Sequence, residues 1–232
     1  MLTIRKANDR GHANHGWLDS YHTFSFAGYR DPNHMGFRSL RVINEDRVEP
    51  GQGFGTHGHE SMEIISYVLD GTLAHKDSEG HEGVITPGEF QYMSAGSGIR
   101  HSEFNGSDEK PVHFLQIWII PDAQGGTPRY AQVDIPVEEK QGAFTLVAAR
   151  PGQGARFDIG QDAKLSVGRP SGEDALTYEL EDGRHAWVQV TSGSVAVNGT
   201  TLEQGDAVAI SEESVVTVSG PADSEVLLFD LA

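Results

Sequence analysis

The chain has 232 residues, 37% hydrophobic and 8% aromatic, enough for one large or two small cores. Its 34 acidic and 17 basic residues give a formal charge of −17, which disfavours phosphate backbones and anionic lipid surfaces as direct partners. With no cysteine, disulfides, thiolate ligands and a cysteine nucleophile are excluded, and no apolar run reaches bilayer length.

The 28 glycines and 10 prolines punctuate short apolar runs, the pattern of an all-β chain. The first ten residues lack the apolar core of a signal peptide, so a cytoplasmic protein is expected. Strands are predicted at Leu2–Arg5, 23–26 and 37–43, and in the second of these His22, Phe24 and Phe26 share an inward face. His12, His15 and His34 in the same arm lack paired spacing and are expected to be hydrogen-bonded or exposed.

The centre of the chain is 51–105. His57 and His59 stand one residue apart, as do His101 and Glu103 much later. Side chains at i and i+2 on a strand share a face, so these four residues can meet inside a barrel. Three imidazoles and a carboxylate make a mixed site for one divalent transition metal; they suit iron, copper, nickel and zinc, with manganese as a further option, and Fe(II) is taken first. Glu63 has the strand parity of His57 and His59, which leaves it open as a carboxylate ligand.

Further strands are predicted at 62–67 and 72–75 around a turn at 69–71. His75 and His81 flank an acidic loop and are expected at the solvent. Gly96 and Gly98 shape the loop that delivers His101, whereas Arg100 faces the other way. The run 112–120 reads as a strand buried on both faces, with His113 a core or edge histidine. Gln52, Phe54 and Gln116 are candidates to line a pocket.

The polar stretch 121–139 reads as a connection, which divides the chain into a metal-binding barrel at 1–130, a linker at 131–142 and a second barrel at 143–232. The last part repeats the first: Trp187 to Gly193 echoes Ile65 to Gly71, Thr201 to Asp206 echoes Val84 to Glu89, and Glu225 to Leu231 echoes the Val112 strand. The ligands are not repeated. Glu179 and Glu181 fall where the first histidine pair would recur, and Ser214 to Val218 replaces the second pair, so the second barrel is expected to hold no metal.

Gly51-x5-His57-x-His59-x3-Glu63 with Gly71, then Gly88 and His101-x3-Asn105, resembles the two cupin motifs. The runs Gly53-Phe-Gly-Thr-His-Gly-His59 and Met93-Ser-Ala-Gly-Ser-Gly-Ile-Arg-His-Ser-Glu103, with Ala13-Asn-His-Gly-Trp17, resemble the pirin branch and its bacterial members. The spacing departs from many cupins after Glu63 and between Gly96 and His101. The resemblance implies a bicupin, two stacked antiparallel jelly-roll barrels from an internal duplication, and it favours Glu103 over Glu63 as ligand. It further implies quercetin 2,3-dioxygenase activity on a small aromatic substrate and O2, in which Glu103 takes the flavonol 3-hydroxyl proton and ring opening yields a depside and carbon monoxide. A monomer is expected. The alternative it carries is a non-enzymatic, redox-responsive metal protein that binds regulatory partners.

Overall fold

The computed structural model describes every residue but Glu173. Its chain forms two compact units, each a pair of β-sheets. The leading unit comprises 11–36 and 40–134. Its seven-stranded sheet runs in the order Arg129–Asp134, Glu89–Ser94, Glu63–Asp70, Val112–Ile119, Leu40–Val48, Leu18–His22, Gly11–Asn14. Its four-stranded sheet runs Gly53–His59, Ile99–Asn105, Leu73–Asp77, Glu82–Ile85. Val112–Ile119 sits in the middle of the larger sheet and is buried on both faces, as its near-continuous apolar run requires.

The strands on either side of Gly71 belong to different sheets, so this turn is a corner between layers rather than a hairpin. Gly71 has φ +79°, and a Cβ there would lie 2.6 Å from the Pro111 carbonyl oxygen. Only glycine satisfies both the left-handed backbone and the close approach.

The trailing unit comprises 1–10, 37–39 and 135–232. Its larger sheet runs Leu2–Arg5, Ala207–Ile210, His185–Ser192, Glu225–Leu231, Ala163–Gly168, Phe144–Ala149, Phe157–Asp158. The smaller runs Leu176–Glu179, Val215–Ser219, Ser194–Val197, Thr200–Glu203. The five inner strands of the larger sheet and the four of the smaller repeat the order of the leading unit, while the edge strands differ, Phe157–Asp158 pairing parallel where Gly11–Asn14 pairs antiparallel; the all-β, duplicated cupin architecture is borne out. Gly193, the counterpart of Gly71, again has a positive φ (+72°). Between these sheets lie aliphatic side chains, among them Val188, Val197, Val216, Val218 and Leu228, and Glu179 and Glu181 are exposed.

Three local expectations change. Leu2–Arg5 pairs with Ala207–Ile210, so the first ten residues are part of the trailing unit rather than of a contiguous 1–130 block. The stretch 131–142 is no bare linker: Arg129–Asp134 is an edge strand, and Val137–Lys140 is a helical turn whose buried Lys140 meets Glu225 at 2.9 Å. The segment 23–26 is irregular, because the strand ends at His22 and Ser25 instead bonds within a loop to Asp31 and His34.

Candidate metal centre

Strands Gly53–His59 and Ile99–Asn105 pair antiparallel with His57 opposite His101. Parity then brings His59 to the same side. The three ring centroids lie 4.8, 4.4 and 4.9 Å apart, and their ligating nitrogens lie within 4.8 Å of one another. His57 Nδ1 donates to the Gly55 carbonyl at 2.8 Å, which fixes its tautomer and leaves the Nε2 lone pair facing His101 Nε2 at 3.0 Å. Burial is the main reason that His59 is pushed down to about 4 and His101 to about 3; the neighbouring imidazoles add to it, and Glu103 and Asp77 respectively oppose it. Both rings are therefore neutral at pH 7. His101 Nδ1 is buried with no hydrogen-bond partner among the described residues. Converging imidazoles, with those of His59 and His101 neutral, are a donor set that fits a divalent transition metal.

A β-bulge shifts the register between His101 and Glu103, so Glu103 lies opposite Phe54. Here the strands approach closely: a Cβ on Gly53 would stand 2.3 Å from the Glu103 carbonyl oxygen. The Glu103 carboxylate is buried and accepts from Ser66 Oγ at 3.1 Å and from Gln116 Nε2, which reaches both oxygens at 3.0 Å. It groups most closely with His101 and His75, whose ligating atoms also lie within 4.8 Å of one another. Two trios thus share His101.

His75 overturns the expectation of exposure. It is 1% exposed, lies opposite Glu103 in the ladder and packs against the rings of His101 and Tyr130. Its Nε2 is 3.3 Å from Asp77 Oδ2, and Asp77 also receives the partly exposed His81. The sequence signal for this placement is the alternation Leu73, His75, Asp77, which shares the buried face of the strand Leu73–Asp77. Ser66 and Trp118 were missed as well; the Trp118 ring meets His59 edge-on at 5.0 Å.

Glu63 stands apart from the imidazoles in its partners. The chain turns at Ser61, with φ +48°, and Glu63 opens a strand of the other sheet, so parity with His59 does not carry across. Tyr92 Oη and Ser94 Oγ donate to its carboxylate, and Arg129 lies at 3.5 Å. His22 is buried as expected and meets Asn44 Oδ1 at 2.9 Å. His12 and His34 pair with Asp19 and Asp31, and His113 with Glu45. Gln52 is exposed, whereas Gln116 reaches Glu103.

A cavity of about 500 Å3 opens in the same unit, walled by Phe26, Tyr29 and Phe54 and floored by Ser20, His22 and Asp46. The Asp46 carboxyl is pushed up to about 7, mainly by burial, with repulsion from Glu103 and Glu45 adding and the Ser20 hydroxyl opposing. Asp46 thus links the cavity electrostatically to Glu103.

With this geometry in hand, the comparisons with known proteins agree. The Pirin family model matches residues 3–119, and the model of the quercetinase C-terminal cupin domain matches 146–231. A quercetin 2,3-dioxygenase of Escherichia coli K12 is 49% identical over 232 residues, covering 100% of this chain and 99% of the relative. A pirin-like protein of Caulobacter vibrioides is 40% identical, with 100% of both chains covered. Among solved structures, the bacterial pirin YhhW of Escherichia coli in complex with nickel(II) superposes with a TM-score of 0.93 at 49% identity, covering 100% of this chain and 99% of that one. Paired histidines on facing strands, a duplicated cupin fold and these matches over the full length converge: the chain belongs to the pirin family.

Proposed function

We propose that this protein is a metal-dependent dioxygenase that opens flavonols such as quercetin, with His57, His59, His101 and Glu103 as the metal's ligands and Glu103 as the base. The observation that carries the reading is the Glu103 carboxylate, buried beside His101 with both oxygens held by Gln116. The relative named quercetin 2,3-dioxygenase, aligned over the whole chain, supports the same reaction class. Fe(II) is the metal we assign, and nickel in the related pirin structure supports the site type rather than the element. A small aromatic substrate and O2 are the partners, and the protein acts as a cytoplasmic monomer; among the described residues no helix is long and apolar enough to cross a membrane.

When bound, the metal supplies Lewis-acid stabilisation of the substrate phenolate and a redox-active centre. The chain does the rest. Glu103 accepts the proton of the flavonol 3-hydroxyl, with Ser66 and Gln116 holding the carboxylate in place. The aromatic walls of the cavity take up the flat rings, and its volume falls within the roughly 300–1,000 Å3 common for small-molecule sites. Ser20, His22 and Asp46 offer polar groups to ring hydroxyls and keep the substrate's orientation. Flavonol and O2 are consumed, and the depside and carbon monoxide leave.

The test incubates metal-loaded protein with quercetin under air and follows flavonol absorbance together with carbon monoxide. Turnover is expected, with a loss of at least about 100-fold in Glu103→Gln. Rates indifferent to both His57→Ala and Glu103→Gln would overturn the reading and leave a metal protein without this chemistry.

A further inference from the structure

The trailing unit keeps a cavity of about 740 Å3 on the strands Phe144–Ala149, Ala163–Gly168 and Leu176–Glu179. By strand order these are the counterparts of Leu18–His22, Leu40–Val48 and Gly53–His59, which carry the cavity beside the metal centre. The pocket has been retained where the imidazoles have not, and its lining has changed: the leading cavity holds the buried Asp46 carboxyl, whereas this one holds the partly exposed Lys164, with Glu179 at its rim.

Four observations identify what fits. Ser166 is 2% exposed as a residue, faces the same interior as Leu228, its register partner, and lines the cavity. Its hydroxyl, open to the cavity, offers a donor to a ligand group there. Lys164, two residues earlier on the same face, holds only long contacts, 3.6 Å to Asp230 and 3.8 Å to Glu181, and an ammonium has three donors to use. Asp230 does not depend on it, because Arg184 and Tyr178 Oη already donate to that carboxylate. Lys164 and Arg184 share three acids, the buried Asp230 and, towards solvent where salt screens them, Asp162 and Glu181. The remaining wall is mixed: Leu146 and Leu176 with Phe144 edge-on to Tyr178 at 5.9 Å form an apolar and aromatic side, and Gln153, Thr177 and the exposed Glu179 complete the lining.

We propose that this cavity is a binding site for a small aromatic monocarboxylate, the carboxylate on Lys164 and Ser166 and the ring against Phe144 and Tyr178. The inference is independent of the metal and of flavonol cleavage, since every residue it uses belongs to the trailing unit.

The experiment titrates the full chain, free of metal, with 3,4-dihydroxybenzoate and with benzoate, following backbone amide shifts and binding heat. One site per chain is expected, with shifts concentrated at 144–146, 164–166 and 176–178. Lys164→Met is expected to weaken binding at least about tenfold through the lost charge-assisted bond, and benzyl alcohol, which lacks the charge, to bind weaker by a similar factor. Ser166→Leu fills the pocket and is expected to abolish binding; Ser166→Ala, which removes only the hydroxyl, is expected to weaken it several-fold and serves if the larger residue disturbs folding. His57→Ala is expected to bind as the parent does. No saturable shift, equal affinity in Lys164→Met, or shifts confined to the strands of His57 and His101 would each overturn the proposal.

Discussion

His57 and His101 face each other across two antiparallel strands, their Nε2 atoms 3.0 Å apart. At that distance a single N–H lies between the two nitrogens, and the Gly55 carbonyl meets Nδ1 of His57 at 2.8 Å. The contact holds two imidazole nitrogens at one point, a preorganised pair of donors.

The two overlapping trios separate spectroscopically. Loaded with Cu(II), the protein is expected to show three coupled imidazole nitrogens by pulsed electron paramagnetic resonance. His57→Ala is expected to leave two, and His75→Ala to leave three. If His75→Ala removes a coupled nitrogen and His57→Ala does not, the ligand set shifts to the His75, His101 and Glu103 trio.

Gln116 and Ser66 hold the Glu103 carboxylate by hydrogen bonds. On the proposed ligand set, Gln116→Leu is expected to weaken metal affinity by about 10- to 100-fold, as loss of a ligand's orienting partner commonly does. Competition against a chromophoric chelator measures it, and circular dichroism is expected to be unchanged.

Three buried groups of the leading unit contribute opposing terms to the pH dependence of the metal-free protein's stability. The unfolded chain takes up protons below the ordinary histidine value of 6.5, which folded His59 and His101 refuse until about 4 and about 3. Their contribution is present above 6.5 and is lost as pH falls. Asp46 acts oppositely: folded, it keeps its proton up to about 7, so stability is lost as pH rises from its ordinary 3.8. Between about pH 4.5 and 6 two histidine protons outnumber one carboxyl proton, and stability rises by about 1.4 kcal/mol per pH unit. Asp46→Asn is expected to roughly double that slope in urea titrations, and an unchanged slope would contradict the placement of Asp46.

The corner at Gly71 tests the fold apart from the chemistry. Gly71→Ala combines a left-handed backbone with a 2.6 Å approach to the Pro111 carbonyl and is expected to cost more than about 1 kcal/mol. Gly28→Ala, with no positive φ and nothing within 4 Å of the added methyl, is expected to be neutral or slightly stabilising. Chemical denaturation compares the two.

The sequence by itself determined what is local or repeated. The spacing of His57 with His59 and of His101 with Glu103 follows from strand parity, and the echo of Gly71 in Gly193 revealed the duplication because both corners need the same backbone. Only the tertiary structure decided which side chains meet those pairs. Glu63 has the right parity but enters another sheet after the turn at Ser61, whereas His75 lies across the ladder from Glu103. The first ten residues complete the larger sheet of the trailing unit, with Leu2–Arg5 paired to a strand some two hundred positions later. The physical reason is common to all three: ladder partners are fixed by hydrogen bonding between segments remote along the chain, and side-chain spacing within one segment carries no record of that pairing.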